Sequence, residues 1–310
     1  MSDGDGAADE PRRVSPSRLA VYATCPRQYE YDKVWDVNTP EASRRYLDRG
    51  LVYHGVIEDT CQEVAETPDL SDEAIREFAR KRTTDRWERQ TSRAEYVSDA
   101  QYAYDQDLVR AAVASYFADE GIGHVRNSIG TERDVTCDRN GMYLKGRADN
   151  IVRTDEGFHV LDYKGSLNGI VSWQSAGDLP AHRAGEEYAA DILKSVFQAA
   201  IYIEGAKNLP EYESGMDVNF TFYSLLYEKT RERHVDGIQV DVRGYGRDVG
   251  DIYRNYEDDI WAIIEETYRG IVDGEYEPVR FGDIRAHACE DCEYSAMCSE
   301  YLAEEVRFDE

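Results

Sequence analysis

The sequence predicts an α+β protein in which helices flank a small β-meander. Residues 15–120 are dominated by helical periodicity, and residues 131–164 alternate in polarity around two turn sequences. A helix, two strands and a long helix then follow in order, without an internal repeat. A length of 310 residues allows two domains or one elaborated domain.

The N-terminal half is predicted to be helical after a short tail. Residues 1–13 are rich in Gly, Asp and Glu, so we expect an acidic, disordered tail. Ser15 and Pro16 are typical of an N-cap and a first helical position. A second helix is predicted over about 44–65, and further helices over 70–120. We therefore expect one domain over residues 14–310, with a helical insertion at about 60–130.

The β-rich part is predicted from alternation and turn composition. Strands are expected at 131–137, 142–152 and 158–164, joined by turns at 140–141 and 154–157. These strands should form an antiparallel meander. The remaining predictions are a helix at about 186–207, strands at 216–227 and 234–242, a helix at about 247–272 and a Cys-rich region at 285–300.

The chain is strongly acidic, with 63 acidic against 36 basic residues and a net charge of −27. We favour adaptation to a high-salt cytoplasm over the alternative of an acidic protein that simply avoids nucleic acid. At about 1 M salt the screening length is ~3 Å, so a local site can still bind phosphate. No apolar run reaches the ~18 residues of a membrane span, and the start resembles no secretion signal. A cytoplasmic protein without membrane contact is expected.

The turn at 154–157 predicts which strand residues oppose each other. With Asp155 and Glu156 at the loop centre, opposed residue numbers sum to 311, which pairs Asp149 with Asp162 at ~5 Å between Cβ atoms. A divalent cation would relieve their repulsion. A surface charge quartet with Arg147 and Lys164 is the alternative, and spacing alone does not decide. The apolar flanks of both strands favour the metal, because an unpaired buried carboxylate is costly.

These residues carry a resemblance to a known family. Gly146-Arg147-Ala148-Asp149 followed by Asp162-Tyr163-Lys164 resembles the PD-(D/E)XK nuclease superfamily in its RecB-like branch. Two further motifs of that branch follow the same order. Gly50-Leu51-Val52-Tyr53-His54, with Glu58 one turn later, is similar to its G-x-x-x-H motif, and Gln198-Ala199-Ala200-Ile201-Tyr202 to its Q-x-x-x-Y motif.

The resemblance implies a restriction-endonuclease-like core, a mixed sheet with flanking helices, and a site that hydrolyses phosphodiesters. It implies metal ligation by Asp149, Asp162, His54 and the Tyr163 carbonyl. A nitrogen ligand suits Mn²⁺ better than Mg²⁺.

Lys164 would orient or deprotonate the attacking water, and Gln198 and Tyr202 would position carboxylates or the substrate strand. Structural readings stay open, with His54 as an ordinary helix histidine, Gln198 and Tyr202 as core caps and Glu58 as a surface residue.

Four of the six cysteines form a second candidate site. Cys289, Cys292 and Cys298 lie within ten residues, and Cys25 follows Ser15-Pro16-Ser17-x-Leu19-x-x-Tyr22-x-x. This N-terminal stretch resembles the cluster signature of iron–sulfur RecB-like nucleases, such as the AddB nuclease domain and the CRISPR-associated exonuclease. The resemblance implies a 4Fe–4S cluster that clamps the chain ends, with structural Zn²⁺ as the alternative.

The combined prediction is a metal-dependent DNA nuclease, an exonuclease acting on single strands in repair or recombination. No Walker A pattern is present, so strand separation would require a helicase partner or a single-stranded substrate. The alternatives are a CRISPR-adaptation exonuclease and a non-catalytic iron–sulfur DNA-binding subunit of a larger repair complex.

Overall fold

The computed structural model describes residues 13–37, 45–234 and 237–305. The predicted tail therefore lies outside the described residues, apart from Arg13. In the described part the helices are α1 Pro16–Thr24, α2 Pro26–Tyr29, α3 Arg45–Glu66, α4 Asp72–Gln90, α5 Asp99–Ala118, α6 Gly121–Arg126, α7 Trp173–Ala176, α8 Leu179–Ala184, α9 Ala190–Ala206, α10 Gly250–Asn255, α11 Glu257–Asp273, α12 Phe281–His287 and α13 Ser299–Glu305. None of them is long and apolar enough to cross a lipid bilayer.

One five-stranded mixed sheet forms the centre of the protein. Its strands are β1 Ser128–Arg139, β2 Met142–Arg153, β3 Gly157–Lys164, β4 Asp217–His234 and β5 Gly237–Asp248. They lie side by side in chain order. The first three are antiparallel, which confirms the predicted meander, and β3 pairs in parallel with β4 through the crossover that contains α9. The α+β class and the mixed sheet with flanking helices are therefore confirmed.

The two tight turns form where their composition predicts. Asn140 and Gly141 both have positive φ, +52° and +79°, as a two-residue hairpin turn requires. At the second turn, the Thr154 amide donates to the Gly157 carbonyl, and the Thr154 hydroxyl accepts from the Gly157 amide. Together these turns fix the register of all three meander strands.

Apolar side chains cover both faces of the sheet. On one face α9 packs with α1 and α11, and Leu193, Phe197 and Ile201 of α9 are completely buried. On the other face α3–α6 pack around Trp87, Tyr116 and sheet residues such as Tyr223. Each such large side chain contributes about 1.5–3 kcal/mol by its burial. Helices thus extend up to Arg126, and β1 begins at Ser128.

Two predicted helix boundaries differ from the structure. The α9 helix begins at Ala190 rather than near residue 186. The helix predicted from residue 247 is wrong at its start, because Arg247 pairs with Phe222 across β4 and β5. Asp248 then accepts from the Gly250 amide at 2.8 Å, and two helices, α10 and α11, follow. Strand pairing here overrides the local helical pattern.

The strands β2 and β3 separate before either of them ends. Their ladder joins residues 150–153 to residues 158–161. Nearer the start of β2, Val14 forms backbone hydrogen bonds with the edge that β3 leaves unpaired. Its amide donates to Tyr143 O at 2.9 Å, and the Lys145 amide donates to Val14 O at 3.1 Å. The opening between residues 146–149 of β2 and 162–164 of β3 is called the fork below.

Candidate active site at the fork

The fork brings together the predicted site residues from four elements. Asp149 lies on β2, and Asp162, Tyr163 and Lys164 lie on β3. His54 reaches the fork from α3 on one face, and Gln198 and Tyr202 reach it from α9 on the other. Residues separated by almost 150 positions therefore meet where two strands part.

Site side chains take the place of the missing backbone partners in the fork. The Tyr163 amide donates to Oδ2 of Asp149 at 2.7 Å, and the Tyr163 carbonyl lies 2.9 Å from Nε2 of His54. The Arg147 amide bonds to the Tyr202 phenol. Buried backbone groups need hydrogen-bond partners. The contacts that supply these partners in the fork also orient the candidate catalytic side chains.

The Tyr202 ring packs directly on β2 at Gly146. A Cβ atom at this position would lie 1.9 Å from Cε1 of Tyr202, so only glycine fits there. Burial, together with the charge of Asp162, raises the pKa of Tyr202 to about 12. The phenol therefore stays neutral and acts as a hydrogen-bonding group.

Asp162 is the most deeply buried carboxylate of the fork, with 3% of the residue exposed. Its Oδ1 accepts from Nε2 of Gln198 at 2.8 Å. Its Oδ2 contacts the Lys164 ammonium but receives no hydrogen bond of regular geometry from the described residues. One carboxylate oxygen is thus fixed, and the other is open to a cation.

The predicted register continues up to the fork. Asn150 pairs with Leu161 and Ile151 with Val160, both summing to 311. Asp149 and Asp162 would come next, but the strands part there and Asp149 turns to the Tyr163 amide. The alternative charge quartet does not form, because Arg147 pairs with Asp134 on β1, at 3.1 Å.

The two carboxylates repel one another across the fork. Burial is the main cause that raises the pKa of Asp149 well above its usual range, and the charge of Asp162 adds to it. The Tyr163 amide and the Lys164 ammonium act in the opposite direction. A buried pair of this kind favours a shared cation.

Glu132 on β1 is a fork residue that the sequence analysis missed. Ligand atoms of His54, Glu132 and Asp149 lie within 4.8 Å of one another, a spacing suited to a metal ion. Thr131 pairs with Asn150 and Arg133 with Ala148, which puts Glu132 opposite Asp149. The turn at 140–141 already implied this pairing, because both ladder pairs sum to 281, as do 132 and 149.

Lys194 is a second missed residue. It precedes Gln198 by one turn of α9, and its side chain forms no ion pair among the described residues. Although the residue is exposed, partial desolvation by the neighbouring protein is the main cause that lowers the pKa of Lys194, and the nearby Lys164 charge lowers it further. The spacing 194, 198, 202 was visible in the sequence as one helix face. Glu58, by contrast, is exposed.

The four predicted cluster cysteines line one cavity of about 20 Å³. Burial, with the other cysteines as a further cause, raises the pKa of Cys289 to about 11. All four are free thiols, and no three of their sulfur atoms lie within 4.8 Å of one another. Cys61 and Cys137 lie elsewhere and are buried, as expected.

Arg27 fastens the Cys25 segment to the end of the chain. Its guanidinium pairs with Glu277 at 2.9 Å and Glu300 at 2.7 Å, and it also contacts Glu30. These carboxylates raise the pKa of Arg27. The two chain ends are thus held together by protein contacts around the cysteine cavity.

Comparisons with known proteins agree with this fold. Among curated proteins, no sequence matches the chain. A crystal structure of a protein from Eubacterium rectale, provisionally described as an exonuclease, is similar with a TM-score of 0.51 at 13% identity, covering 100% of this chain and 96% of that one. At this identity the likeness shows the fold alone. The family model of the PD-(D/E)XK nuclease superfamily matches residues 13–299, so the chain belongs to that superfamily.

Proposed function

We propose that this protein is a metal-dependent DNA nuclease that hydrolyses single strands from an end. The observation that carries the proposal is the fork itself, where two buried carboxylates and a lysine converge in a chain of this superfamily. An exonuclease of this kind would serve DNA repair or recombination. Because no Walker A pattern is present, a helicase partner would supply unwound DNA.

The donor set of the fork fits a divalent cation. Asp149 and Asp162 would hold it, since Oδ2 of Asp162 is buried without a regular hydrogen bond. Glu132 and His54 would complete the set. Nε2 of His54 faces the Tyr163 carbonyl, which can only accept, so Nδ1 carries the free lone pair and lies 3.4 Å from Asp149. A nitrogen donor favours Mn²⁺ over Mg²⁺.

The Tyr163 carbonyl would act as a ligand only through its second lone pair, because His54 already occupies the first. This carbonyl oxygen is therefore the least accessible of the proposed ligands. When bound, the cation would offset the charge of the scissile phosphate and make water more acidic.

The surrounding residues would position the reacting groups. Lys164 would hold the attacking water and stabilise negative charge as it develops on the phosphate. Gln198 and Tyr202 would keep Asp162 and β2 in place, as their present contacts do. Lys194, without an ion-pair partner among the described residues, would contact a phosphate of the substrate strand.

A 4Fe–4S cluster is proposed for the cysteine cavity. All four thiols line one space, which supports a shared ligand. The C-terminal cysteines form a single C-x2-C pair followed by a five-residue gap, whereas paired C-x2-C knuckles are typical of Zn²⁺ sites, and this spacing supports the cluster over Zn²⁺.

The acidic surface supports a high-salt cytoplasm as the working environment. In dilute buffer a net charge of −27 repels DNA, whereas molar salt screens this repulsion beyond ~3 Å. Contacts in the fork are short enough to persist. On this proposal, cleavage increases when KCl is raised.

One experiment tests the proposed activity. End-labelled linear and circular single-stranded DNA, duplex DNA and RNA are incubated with the protein and Mn²⁺, Mg²⁺ or EDTA. We expect metal-dependent degradation of linear single strands, with circles and RNA intact. Cleavage of circles would show an endonuclease, and an absence of metal-dependent cleavage would contradict the proposal.

A further inference from the structure

Two exposed tyrosines form a pair on the β4–β5 hairpin. The rings of Tyr227 and Tyr245 have centroids 4.8 Å apart at an interplanar angle of 32°, and each residue is 46% exposed. Two adjacent rings that are this exposed offer aromatic surface on which a further planar group can stack.

The sheet register connects this pair to the fork. Lys164 pairs with Ser224, and Ser224 pairs with Tyr245, so three residues form one row across β3, β4 and β5. Two strand spacings of about 4.8 Å place Tyr245 roughly 10 Å from Lys164 along this row. The pair therefore lies beside the candidate active site.

The row also lies on the side of the sheet that holds Asp162. Phe222, two residues before Ser224, packs in the core on the α9 side, and the Lys164 ammonium lies 5.8 Å from its ring centroid. Side chains of paired residues share a face, so Tyr245 points to the same face as Lys164.

A bulge brings Tyr227 beside Tyr245. Ser224 pairs with Tyr245 and Glu228 pairs with Arg243, so three residues of β4 oppose Gly244 alone. Two of the three, Leu225 and Leu226, are buried in the core of the opposite face. The two extra residues interrupt the alternation of β4, and Tyr227 lies exposed beside Tyr245. Bulges of this kind often redirect a side chain next to an active site.

We propose that Tyr227 and Tyr245 are a stacking platform for the bases of a single-stranded nucleic acid whose scissile phosphate lies in the fork. This inference rests on the proposed nuclease function. Aromatic rings bind bases without sequence preference, because every base has a π-face. Stacked nucleotides rise about 3.4 Å each, so ~10 Å corresponds to roughly three nucleotides from the scissile phosphate.

Binding of a fluorescent oligothymidylate, measured by anisotropy in EDTA to prevent cleavage, tests the platform. Tyr227→Ala and Tyr245→Ala should each weaken binding by about fivefold to 150-fold, the range of a lost base–aromatic stack. Tyr245→Phe keeps the ring and should retain most of the affinity. Ile238→Ala is the control, since Ile238 is an exposed apolar residue of the same hairpin.

Oligonucleotides with abasic sites distinguish stacking from other contacts. Abasic residues about three nucleotides from the labelled end should weaken binding to the wild type as much as Tyr245→Ala does. The two changes together should cost little more than either alone, because they remove the same contact. Fully additive losses would contradict the proposal.

The result also separates this inference from the proposed function. If the wild type cleaves DNA and both alanine variants, folded by circular dichroism, bind and cleave like it, the platform is wrong and the nuclease assignment stands. If the wild type neither binds nor cleaves DNA, both are overturned.

Discussion

The fork and the cysteine cavity each bring together side chains that can carry negative charge, but the two regions compensate this charge differently. In the fork, Asp162 is paired with Lys164, and Asp149 accepts a backbone amide, so the protein already supplies part of the compensation. In the cavity, burial and mutual proximity raise the pKa of the Cys289 thiol to about 11, so neutral thiols are favoured. The fork can therefore hold its shape without an ion, whereas deprotonation of the cavity thiols would require a bound cation.

The two regions also differ in their support. The fork lies between strands of the central sheet, where both faces are covered by helices. The cavity is built from short helical segments at the two chain ends, joined through Arg27 and its carboxylates. Substitutions should therefore act on chemistry in the fork and on stability in the cavity.

The largest effect is expected on cleavage. Lys164→Ala or Asp162→Asn should lower the rate of DNA hydrolysis by about 10²–10³-fold, because each removes a charge aimed at the reacting phosphate or its cation. Iron content should hardly change in either variant, and the melting temperature should hardly change in Asp162→Asn, which keeps the shape of the side chain and removes its buried charge. Asp134→Asn, at an exposed aspartate of β1, is the control. Retained cleavage in both variants would remove the fork from the mechanism.

Substitutions in the cysteine cavity should change colour and stability rather than the chemistry of cleavage. Cys25→Ala or Cys292→Ala should abolish the brown colour of an anaerobic preparation and lower the melting temperature by roughly 10 °C, since ligation is coupled to folding. Cys61→Ala removes a buried thiol elsewhere and should keep the colour. Colourless wild-type protein with one zinc per chain would exclude the cluster.

Glu132 tests whether the fork extends to β1. Glu132→Gln should weaken Mn²⁺ binding, measured by titration calorimetry, by about 10–100-fold. Glu58→Gln is the matched control, because Glu58 lies one turn from His54 but is exposed. Equal affinities in wild type and Glu132→Gln would show that Glu132 is only a neighbour of the site.

The smallest expected effect is a pH dependence of folding stability, which arises on the side of the sheet that α3–α6 cover. The Tyr163 hydroxyl lies 2.8 Å from that of Tyr116, which is 3.0 Å from Nδ1 of His124. Burial lowers the pKa of His124 to about 4, with the charge of His159 adding to this and Asp119 opposing it. Between pH 6.5 and about 4, His124 is therefore protonated in the unfolded chain but neutral in the folded chain, so folding stability falls as the pH falls.

Between pH 6.5 and 5.5 this loss amounts to about 1 kcal/mol. Urea unfolding of the wild type and of His124→Gln should reveal it as a difference in slope against pH. Parallel curves for the two proteins would assign the acid sensitivity to other groups.

Part of the fork could be predicted because turn composition fixes strand register. The turn at 154–157 sets which residues of β2 and β3 oppose one another and so brings Asp149 near Asp162, whereas the helix residues of the site came from the family resemblance. The register set by the turn at 140–141 also places Glu132 opposite Asp149. Glu132 was overlooked because it lies outside the recognised motifs. Lys194 was overlooked for the same reason, although its spacing from Gln198 is helical.

Other features could not be derived from local pattern. The start of α10 was misplaced because Arg247 and Asp248 are held in β5 by pairing with β4, a contact between distant segments. The bulge at Tyr227 also depends on which residues β5 opposes. Likewise, the divergence of β2 and β3 at Asp149 arises from competition between side chains and backbone for the same partners.

The fork has a consequence for hydrogen exchange of individual amides. The Tyr163 and Arg147 amides are protected by the side chains of Asp149 and Tyr202 rather than by a ladder partner. Their exchange with deuterium should therefore follow local motion of those side chains rather than global unfolding. Each amide would then report, from within the intact sheet, whether its site residue is in place.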